Sequence, residues 1–468
     1  MLTEEQAIAQ AAVLKGYHQG ERAQLDLIRR YWKGLQRLPA VIPSTSPREV
    51  REMARIARVN VCSIIVDSLA QSTFVDNFRS KSADGDLEVW NIWQKNKLDA
   101  RQAGIHRAAF AYGTSYAVVT PGDPVPVIRG RSPRTLCAMY GDDPDWPVYA
   151  LEFRGRGGSS TPGGDGRQWR LYDKDAIYEL EGNSRGTSFN FINMAPHNAG
   201  VCPVIRFLDE DDIDFDDDVR ADATTAALNG ITVPTRGQIG QIMPIQDQID
   251  LTTFGLLVAQ WYSAFRQRWV VGWLAEDEAE EMKASASQLW TFEDDKNEIQ
   301  LGEFGQTDLS GYIDSRKESI KHAATLSQTP VHELIGDLVN LSAEALVAAE
   351  QGHERKVDER KTMLGESWEQ TLRLAGQMAT AKIDVPDDAE VVWRDTSARA
   401  FSATVDALGK LVTMLGVPAQ EVWEQIPGVT KQDVERWKAE AQQGGAMAQL
   451  QAILEKQAKQ PPAPAPAA

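Results

Sequence analysis

Carboxylates at short spacing are the first residues of this chain that could carry chemistry. Residues 209–218 form an acidic run in which aspartate occupies every second position from Asp212 to Asp216, as at the start of a calcium-binding loop. Such a loop also needs glycine at its sixth position and glutamate at its twelfth, where this chain has Asp217 and Ala223. We favour a solvated acidic loop, with an ion site or a metal-dependent nuclease as the alternative.

Other groups that suggest catalysis each lack a necessary member. His332-Glu333 has no second histidine at the spacing of a helical zinc site. The stretch from Gly113 to Ala117 resembles a nucleophile elbow around Ser115, but alanine stands where the second glycine belongs. Residues 155–166 are rich in glycine without the Gly-Lys-Ser/Thr end of a phosphate loop, which favours a flexible hairpin. Residues 293–295 could hold magnesium, although acidic surface turns are far commoner.

Cysteine and histidine are dispersed along the chain. Cys62, Cys137 and Cys202 form no Cys-x-x-Cys pair, which argues against a zinc site or a cross-linked secreted fold. His106 lies on a helical apolar stripe and is interpreted as a packed core residue. We therefore predict a protein that is not an enzyme and that has no cofactor and no bound metal.

The charge balance limits how the protein can meet nucleic acid. The 468 residues include 49 Lys plus Arg and 67 Asp plus Glu, which gives a net charge of −18. A protein that wraps DNA tightly is normally basic, because neutralised phosphates supply most of the affinity. Net acidity suits a surface that DNA slides past. No apolar run reaches the ~18 residues of a membrane span, and the first residues have no secretory pattern.

The first half of the chain changes from helix to strand. Thr3 and Gln6 have the spacing of a capping box, which predicts a helix that continues to Leu38. A helical stretch from about Asp86 to Tyr112 ends at Gly113, and residues 115–120 follow as a strand. Short apolar runs separated by Gly, Pro and Asp turns predict a β-rich zone over residues 121–209.

The second half predicts long helices separated by irregular segments. Apolar residues at helical spacing predict a helix over residues 245–268, and another over residues 309–326 follows an insertion of some 35 residues. After a segment rich in helix breakers, the longest helix covers residues 342–380 and would measure about 55 Å. Val391–Trp393 is expected to be a short strand, and helices and a Pro/Ala tail end the chain. The fold class is α+β and predominantly helical.

This order of parts resembles the portal proteins of tailed bacteriophages. The similar group includes the portal of the Bacillus phage SPP1 and many actinobacteriophage portals. No single motif is diagnostic, and the weight comes from the joint order of several packing patterns. These are Trp93–Asp99 leading into Ala111–Val118, Pro203–Phe207, Gln246-Asp247 through Arg266-Gln-Arg268, and Ser342–Leu346.

The resemblance implies a portal architecture with wing, stem, clip and crown regions and a very long wing helix. On this chain the implied regions are residues 1–243 as wing, 244–268 and 308–327 as stem helices, 269–307 as clip, 328–341 as tunnel loop, 342–395 as the long wing helix and a wing strand, 396–458 as crown and 459–468 as a disordered tail.

The resemblance also implies partners and a place. We expect a homo-dodecameric ring at one capsid vertex, with double-stranded DNA passing non-specifically through its channel. The terminase large subunit would dock during packaging and a head–tail adaptor later, and major capsid and scaffold proteins would surround the ring. The expected location is the virion, with assembly in the host cytoplasm and no membrane contact. A head–tail adaptor or scaffold ring without a DNA channel is the alternative.

The site residues follow from the same resemblance. Stem cations could face the channel or could pair with Asp314, Glu318 or a neighbour's acids, and both interpretations stay open. The apolar members of the tunnel loop could constrict around DNA or pack under the wing. The expected residues are Arg316, Lys317 and Lys321 on the stem, Leu334, Ile335, Asp337, Leu338, Val339 and Asn340 in the tunnel loop, and Trp273, Glu276, Trp290 and Glu293 on the clip docking surface.

Overall fold

The chain forms two compact units, Met1–Arg394 and Asp395–Ala468, which are described separately. The structure is a computed structural model. It describes residues 1–38, 42–43, 45–79, 83–158, 164–183, 188–210, 237–264, 268–271, 300–303, 308–336, 343–394 and 401–423, together with positions 426, 429, 434, 436–438 and 441.

The N-terminal helix α1 (Glu4–Trp32) begins with the predicted capping box. The Gln6 amide donates to Thr3 Oγ1 over 3.3 Å, and the Thr3 amide donates to Gln6 Oε1 over 2.9 Å. These bonds satisfy two of the donors that a helix start leaves free. The helix ends at Trp32 and not at Leu38, because the chain turns at Gly34, whose φ of 64° favours glycine.

The stretch predicted as one helix before Gly113 is two helices. After α2 (Arg48–Ile56), α3 (Val61–Ser72) and β1 (Val75–Arg79), the structure has α4 (Ala83–Lys95) and α5 (Leu98–Tyr112). The break follows from Asn96, whose side chain bonds the carbonyls of Ile92 and Pro126 and the amide of Ile128. Gly113 ends α5 in the left-handed conformation, as predicted.

The β-rich zone contains two antiparallel sheets. Strand β2 (Thr114–Thr120) lies between β3 (Val127–Arg131) and β9 (Val204–Leu208). The other sheet is a five-stranded meander in chain order: β4 (Leu136–Tyr140), β5 (Pro147–Arg156), β6 (Gly164–Tyr172), β7 (Ala176–Asn183) and β8 (Phe189–Pro196). The sequence analysis predicted this zone as a whole and did not identify β4 or β8. Both are edge strands, and β8 ends in the proline that only an edge tolerates.

Long helices dominate the rest of the first unit. Helix α6 starts six residues before the expected stem boundary, because Pro244 lies inside it and does not begin it. The predicted end at residue 268 is also wrong, because the helix ends at Ala264 and Arg268 begins a strand. The bounds of the later helices agree closely with prediction, and the longest helix has 36 residues. The elements are α6 (Gln238–Ala264), β10 (Arg268–Val271), β11 (Gln300–Glu303), α7 (Ser310–Ser327), α8 (Val331–Ile335), α9 (Ala343–Met378) and β12 (Glu390–Trp393), which pairs with β1.

The second unit contains α10 (Phe401–Leu415) and α11 (Ala419–Val422) in its described part. Trp423 and Trp437 meet there edge to face, with ring centroids 6.0 Å apart. The helical character expected for this region is therefore confirmed where it is described, and residues 442–468 lie outside the described ranges.

Trp368 of the long helix lies at the centre of the main core. Its ring meets Trp93 and Phe207 edge to face, with both centroid distances at 4.8 Å. Its Nε1 donates to His106 Nε2 over 2.9 Å. Because indole nitrogen can only donate, the His106 proton lies on Nδ1, which donates to the Thr73 carbonyl over 2.8 Å. His106 is a core residue, as predicted, and it joins three elements.

Two smaller cores hold the sheets in place. Ala7, Ala11 and Leu14 lie on one stripe of α1 and pack against the five-stranded sheet. Tyr116 and Tyr172 are members of a second cluster, which fills the space between the two sheets. The five-stranded sheet is thus covered on both faces, by α1 and by the three-stranded sheet.

Burial of His106 predicts that acid destabilises the protein. Burial lowers the pKa of His106 to about 4, so the unfolded chain binds a proton between about pH 6.5 and pH 4 that the folded chain does not. Stability is therefore complete above pH 6.5 and falls as the pH drops. Between pH 7 and pH 5 we expect His106 to account for a loss of about 2 kcal/mol in the free energy of unfolding.

The test compares urea unfolding at pH 7 and pH 5 for the wild type, His106→Gln and His322→Gln. His106→Gln should show a smaller difference between the two pH values than the wild type. His322→Gln, which changes an exposed histidine, should keep the full difference. An undiminished difference in His106→Gln would show that other groups cause the acid sensitivity.

Candidate functional site

Helices α6 and α7 form an antiparallel pair. Gln238, the first residue of α6, and Ser327, the last of α7, contact the same lysine. Further along the pair, a Cβ on Gly255 would lie 3.1 Å from the Tyr312 ring, so this glycine gives the two helices their close approach. The next described elements of the chain beyond the far ends are the antiparallel strands β10 and β11, in which Trp269 pairs with Gly302.

The segment between these two strands lies outside the described residues. It contains the expected docking residues Trp273, Glu276, Trp290 and Glu293. The structure therefore places the entry and exit of the expected clip on one two-stranded ribbon, and the docking assignment remains a prediction.

The three expected stem cations differ in their surroundings. Lys321 is half exposed and donates to Glu318 over 3.2 Å, which is one of the pairings considered above. Lys317 is exposed and has no ion-pair partner in the described part of the chain. Arg316 is half-buried, and its shielded Nε has no hydrogen-bond partner there. Two of the three therefore keep their charge available to a group outside the single chain.

Large apolar side chains are exposed on the helix pair. A groove lined in part by Met53, Ile56 and Leu257 separates α2 from α6, and Trp261 borders it. A contiguous exposed apolar surface often marks a contact with another protein. The exposed residues are Leu251, Trp261, Tyr312, Ile313 and Leu326, with exposed fractions between 37% and 54%.

Buried polar side chains fasten the first half of α6 to the N-terminal helices. Gln246, which is fully buried, accepts from the Val61 amide over 3.1 Å and donates to Asp250 over 2.9 Å. Asp250 in turn accepts from the Gln36 side chain over 2.8 Å. The neighbouring Asp247 accepts from Tyr31 over 2.7 Å. The Gln246-Asp247 pair of the resemblance is thus a packing element, as expected.

A second buried network, the junction network, joins four elements. Its members are Asp209 after β9, Gln238 at the start of α6, Ser327 at the end of α7, and Lys356 and Arg360 on α9. Arg360 Nε donates to Asp209 Oδ1 over 3.1 Å, and Gln238 Nε2 donates to Asp209 Oδ2 over 2.6 Å. Lys356 Nζ donates to Gln238 and, over 2.7 Å, to the Ser327 carbonyl.

The sequence analysis missed this network, although the sequence contains a signal for it. Lys356 and Arg360 continue the four-residue stripe of Leu364, Trp368 and Leu372 on the long helix. Two cations on a buried stripe require a buried acid or carbonyl partner.

Burial disfavours the charged forms of the ionisable side chains in the junction network. Burial raises the pKa of Asp209 to about 6, against the attraction of Arg360 and Lys356. Burial also lowers the pKa of Lys356 to about 8, against the attraction of Asp209. Arg360 reaches Glu210 as well, at 3.1 Å. The first two residues of the acidic run are therefore held by Arg360, one buried and one exposed. The remaining residues of the run lie outside the described ranges.

The segment after α7 contains only part of the expected tunnel loop. Leu334 and Ile335 lie on the short helix α8, half-buried against the main core. His353 of the long helix contacts the Gln328 carbonyl over 3.2 Å at the start of this segment. Residues 337–340, with the other four expected tunnel-loop residues, lie outside the described ranges.

The side chains that could have indicated a catalytic site are buried or contact other residues of the chain. Ser115 is buried and donates to the Ile105 carbonyl over 2.9 Å. His332 lies 3.8 Å from Glu350. Burial raises the pKa of the Cys62 thiol to about 12. Among the described residues, no three acidic, histidine or cysteine side chains converge as a metal site, and no helix could cross a membrane.

The chain matches a family of known proteins over almost its whole length. The family model described as "Phage portal protein, SPP1 Gp6-like" covers residues 12–445. The chain belongs to this family. The portal protein of Mycobacterium phage L5 is 27% identical over 396 residues, which cover 80% of this chain and 76% of the relative. That of Mycobacterium phage D29 is 26% identical over 394 residues, with the same coverages.

Solved structures share a more distant likeness with this portal protein. A chain from the virion of the native gene transfer agent particle matches with a TM-score of 0.44 and 12% identity, covering 83% of this chain and 95% of the other. A chain from the neck of the native particle, computed with C12 symmetry, matches with a TM-score of 0.42 and 13% identity, covering 81% and 92%. The family membership rests on the sequence match, and with it the function of a phage portal at the capsid vertex.

The junction network predicts a large effect of Arg360→Ala on the portal protein. The change leaves the Asp209 carboxylate buried without its guanidinium, which typically costs about 3–5 kcal/mol. Urea unfolding of the unassembled protein measures the loss. Arg355→Ala is the matched control, because Arg355 is exposed on the same helix, and we expect a change within about 0.5 kcal/mol. Equal losses in both variants would contradict the role given to the network.

Proposed function

We propose that this portal protein assembles into a closed ring of twelve copies around a channel for double-stranded DNA. The membership of residues 12–445 in the portal family is the observation that carries this proposal. In the proposed ring, α6 and α7 form the stem, the segment beyond β10 and β11 forms the clip, and α9 belongs to the wing.

Exposed apolar side chains support assembly through the helix pair. Each copy in a closed ring meets two neighbours through different surfaces, so both sides of the stem must bury area. Leu251 and Trp261 on α6 and Tyr312 and Ile313 on α7 are exposed in the single chain, with no described residue covering them fully. Neighbouring copies would cover them. The Gly255 contact keeps the two helices together as one element of the interface.

The charges of the stem support a channel with weak contacts to DNA. A duplex that must move needs contacts that are few and non-specific, since each phosphate neutralised adds to binding. On α7, Lys321 is paired with Glu318, whereas Lys317 is exposed without an ion-pair partner in the described ranges. We propose that Lys317 and Arg316 supply the few positive charges that line the channel.

The remaining partners follow the same proposal. The terminase large subunit would bind the clip during packaging, and a head–tail adaptor would bind there after packaging, with Trp273, Glu276, Trp290 and Glu293 at the docking surface. The major capsid and scaffold proteins would surround the wing. The ring would assemble in the host cytoplasm before it becomes part of the virion, and it would catalyse no reaction.

The first experiment is electron microscopy of the purified full chain with rotational class averages. We expect rings of about twelve-fold symmetry with an open axial channel. A ring without a channel would favour the adaptor or scaffold function instead. Protein that stays monomeric or dimeric at every concentration and salt would contradict self-assembly of the purified chain. Trp261→Asp should prevent rings, whereas Val148→Asp, at an exposed valine on β5, serves as the control for an added surface charge.

The tunnel loop is tested by DNA retention in filled heads. We propose that Ile335 and Leu338 narrow the channel, and we expect Leu338→Ala and Ile335→Gly to release packaged DNA faster than the wild type. Val331→Ala is the control, because Val331 is exposed on the same short helix. Ring formation is checked first, since Ile335 also packs against the core. Normal packaging and retention in both variants would remove the gate hypothesis.

A further inference from the structure

Four arginines converge where the two sheets meet. Arg129 and Arg131 lie on β3 of the three-stranded sheet, and Arg154 and Arg170 lie on β5 and β6 of the five-stranded sheet. Arg131 Nε donates to the Glu152 carboxylate, and Arg154 Nη1 donates to the same oxygen over 3.2 Å. We call these four residues the arginine cluster. It is a local concentration of positive charge in a chain whose net charge is −18.

The described residues neutralise only part of the arginine cluster. Glu152 is 1% exposed and serves Arg131, Arg154 and the Tyr172 hydroxyl. Arg170 is paired with Glu179 at 2.7 Å. Among the described residues, two carboxylates thus face four guanidinium groups, which leaves two positive charges in excess.

Arg129 is the member of the arginine cluster that could bind an added carboxylate. The residue is exposed, and its side chain makes no hydrogen bond or ion pair with a residue in the described ranges. Partial burial of the guanidinium group and the neighbouring Arg154, Arg131 and Arg170 guanidinium groups lower the pKa of Arg129. A carboxylate beside Arg129 would relieve this repulsion and could accept two parallel hydrogen bonds from the guanidinium group.

The small excess of positive charge favours carboxylates over a nucleic-acid backbone as the ligand of the arginine cluster. A DNA-binding track needs several free cations, because affinity grows with each neutralised phosphate. Here most guanidinium groups are already paired, and one or two added carboxylates would balance the rest. A second copy of this chain offers them, since each copy carries 67 acidic residues against 49 basic ones. Heterologous ring contacts also place a patch of one copy against a different patch of the next.

We infer that the arginine cluster is part of the subunit interface, where Arg129 binds exposed carboxylates of the neighbouring copy. This inference rests on the proposed ring. It adds an electrostatic contact on the sheet region to the apolar contacts of the helix pair. Because the pairing joins charges that both lie near solvent, it should weaken as salt rises.

Carbodiimide cross-linking of Arg129→Lys tests the contact directly. The substitution keeps the positive charge and supplies an amine that the reagent joins to a touching carboxylate. In assembled rings we expect covalent dimers, and peptide mass spectrometry should identify an acidic residue of another copy. The matched control is Arg101→Lys, because Arg101 is also exposed and also lacks an ion-pair partner in the described part of the chain.

Charge reversal gives a second measurement. Arg129→Glu should raise the protein concentration at which half the chains are in rings by about tenfold at low salt, and by less at high salt. Arg101→Glu, which changes the net charge equally, should have a much smaller effect. The Arg129 side chain has no ion-pair partner to lose among the described residues, so the fold should tolerate the change, and circular dichroism and urea unfolding verify this.

Each result separates the inference from the proposed function. Absence of rings in the wild type would count against self-assembly itself. Wild-type rings together with cross-links only to Glu152, or with none, and unchanged assembly of Arg129→Glu would overturn the inference and leave the proposed function standing. Normal assembly of Arg129→Glu with weaker DNA retention would also overturn it, and would assign the cluster to phosphate.

Discussion

The buried ion pair between Asp209 and Arg360 is the constraint on which the arrangement of the helices depends. Neither charge can lose its partner without a cost of several kcal/mol, because water does not reach them. Hydrogen bonds of Gln238 and Lys356 connect this ion pair to the start of α6 and the end of α7. Through these contacts the long helix fixes the positions of the start of α6 and the end of α7. A conformational change that moved one of these elements would have to move the others or break the network.

Buried polar contacts hold the helix pair at one end, and apolar side chains along the pair stay exposed. Gln246 and Asp250 bind the N-terminal helices through buried hydrogen bonds, and the junction network binds the long helix. Beyond these contacts, Leu251, Trp261 and Tyr312 remain exposed. This contrast suits a protein that functions only in an assembly. In the proposed ring, the polar contacts would hold the helix pair of each copy in a fixed direction, and neighbouring copies would cover the apolar side chains.

The charged residues also fall into two groups, a general excess of acidic residues and a few cations to which we give specific roles. The chain carries 67 acidic against 49 basic residues, and a net negative charge opposes tight binding to a phosphate backbone. Against this background, a few uncompensated cations become informative. Lys317 on α7 and Arg129 on β3 both lack ion-pair partners in the described ranges, and we give them different roles. The first would face a passing duplex, and the second would face a neighbouring copy.

Local patterns in the sequence determined the elements, and only the tertiary structure decided which residues meet. The Thr3 capping box, the Gly113 helix end and the bounds of α7 and α9 were predictable, because caps, left-handed glycines and helical periodicity act over a few residues. The break at Asn96 was not, since its side chain bonds the Pro126 carbonyl and the Ile128 amide, 30 and 32 positions further along the chain. Asp209 looked like one more solvated acid until the fold brought Arg360 to it across 151 positions. Burial and pairing of charges depend on distant contacts, and sequence spacing does not encode them.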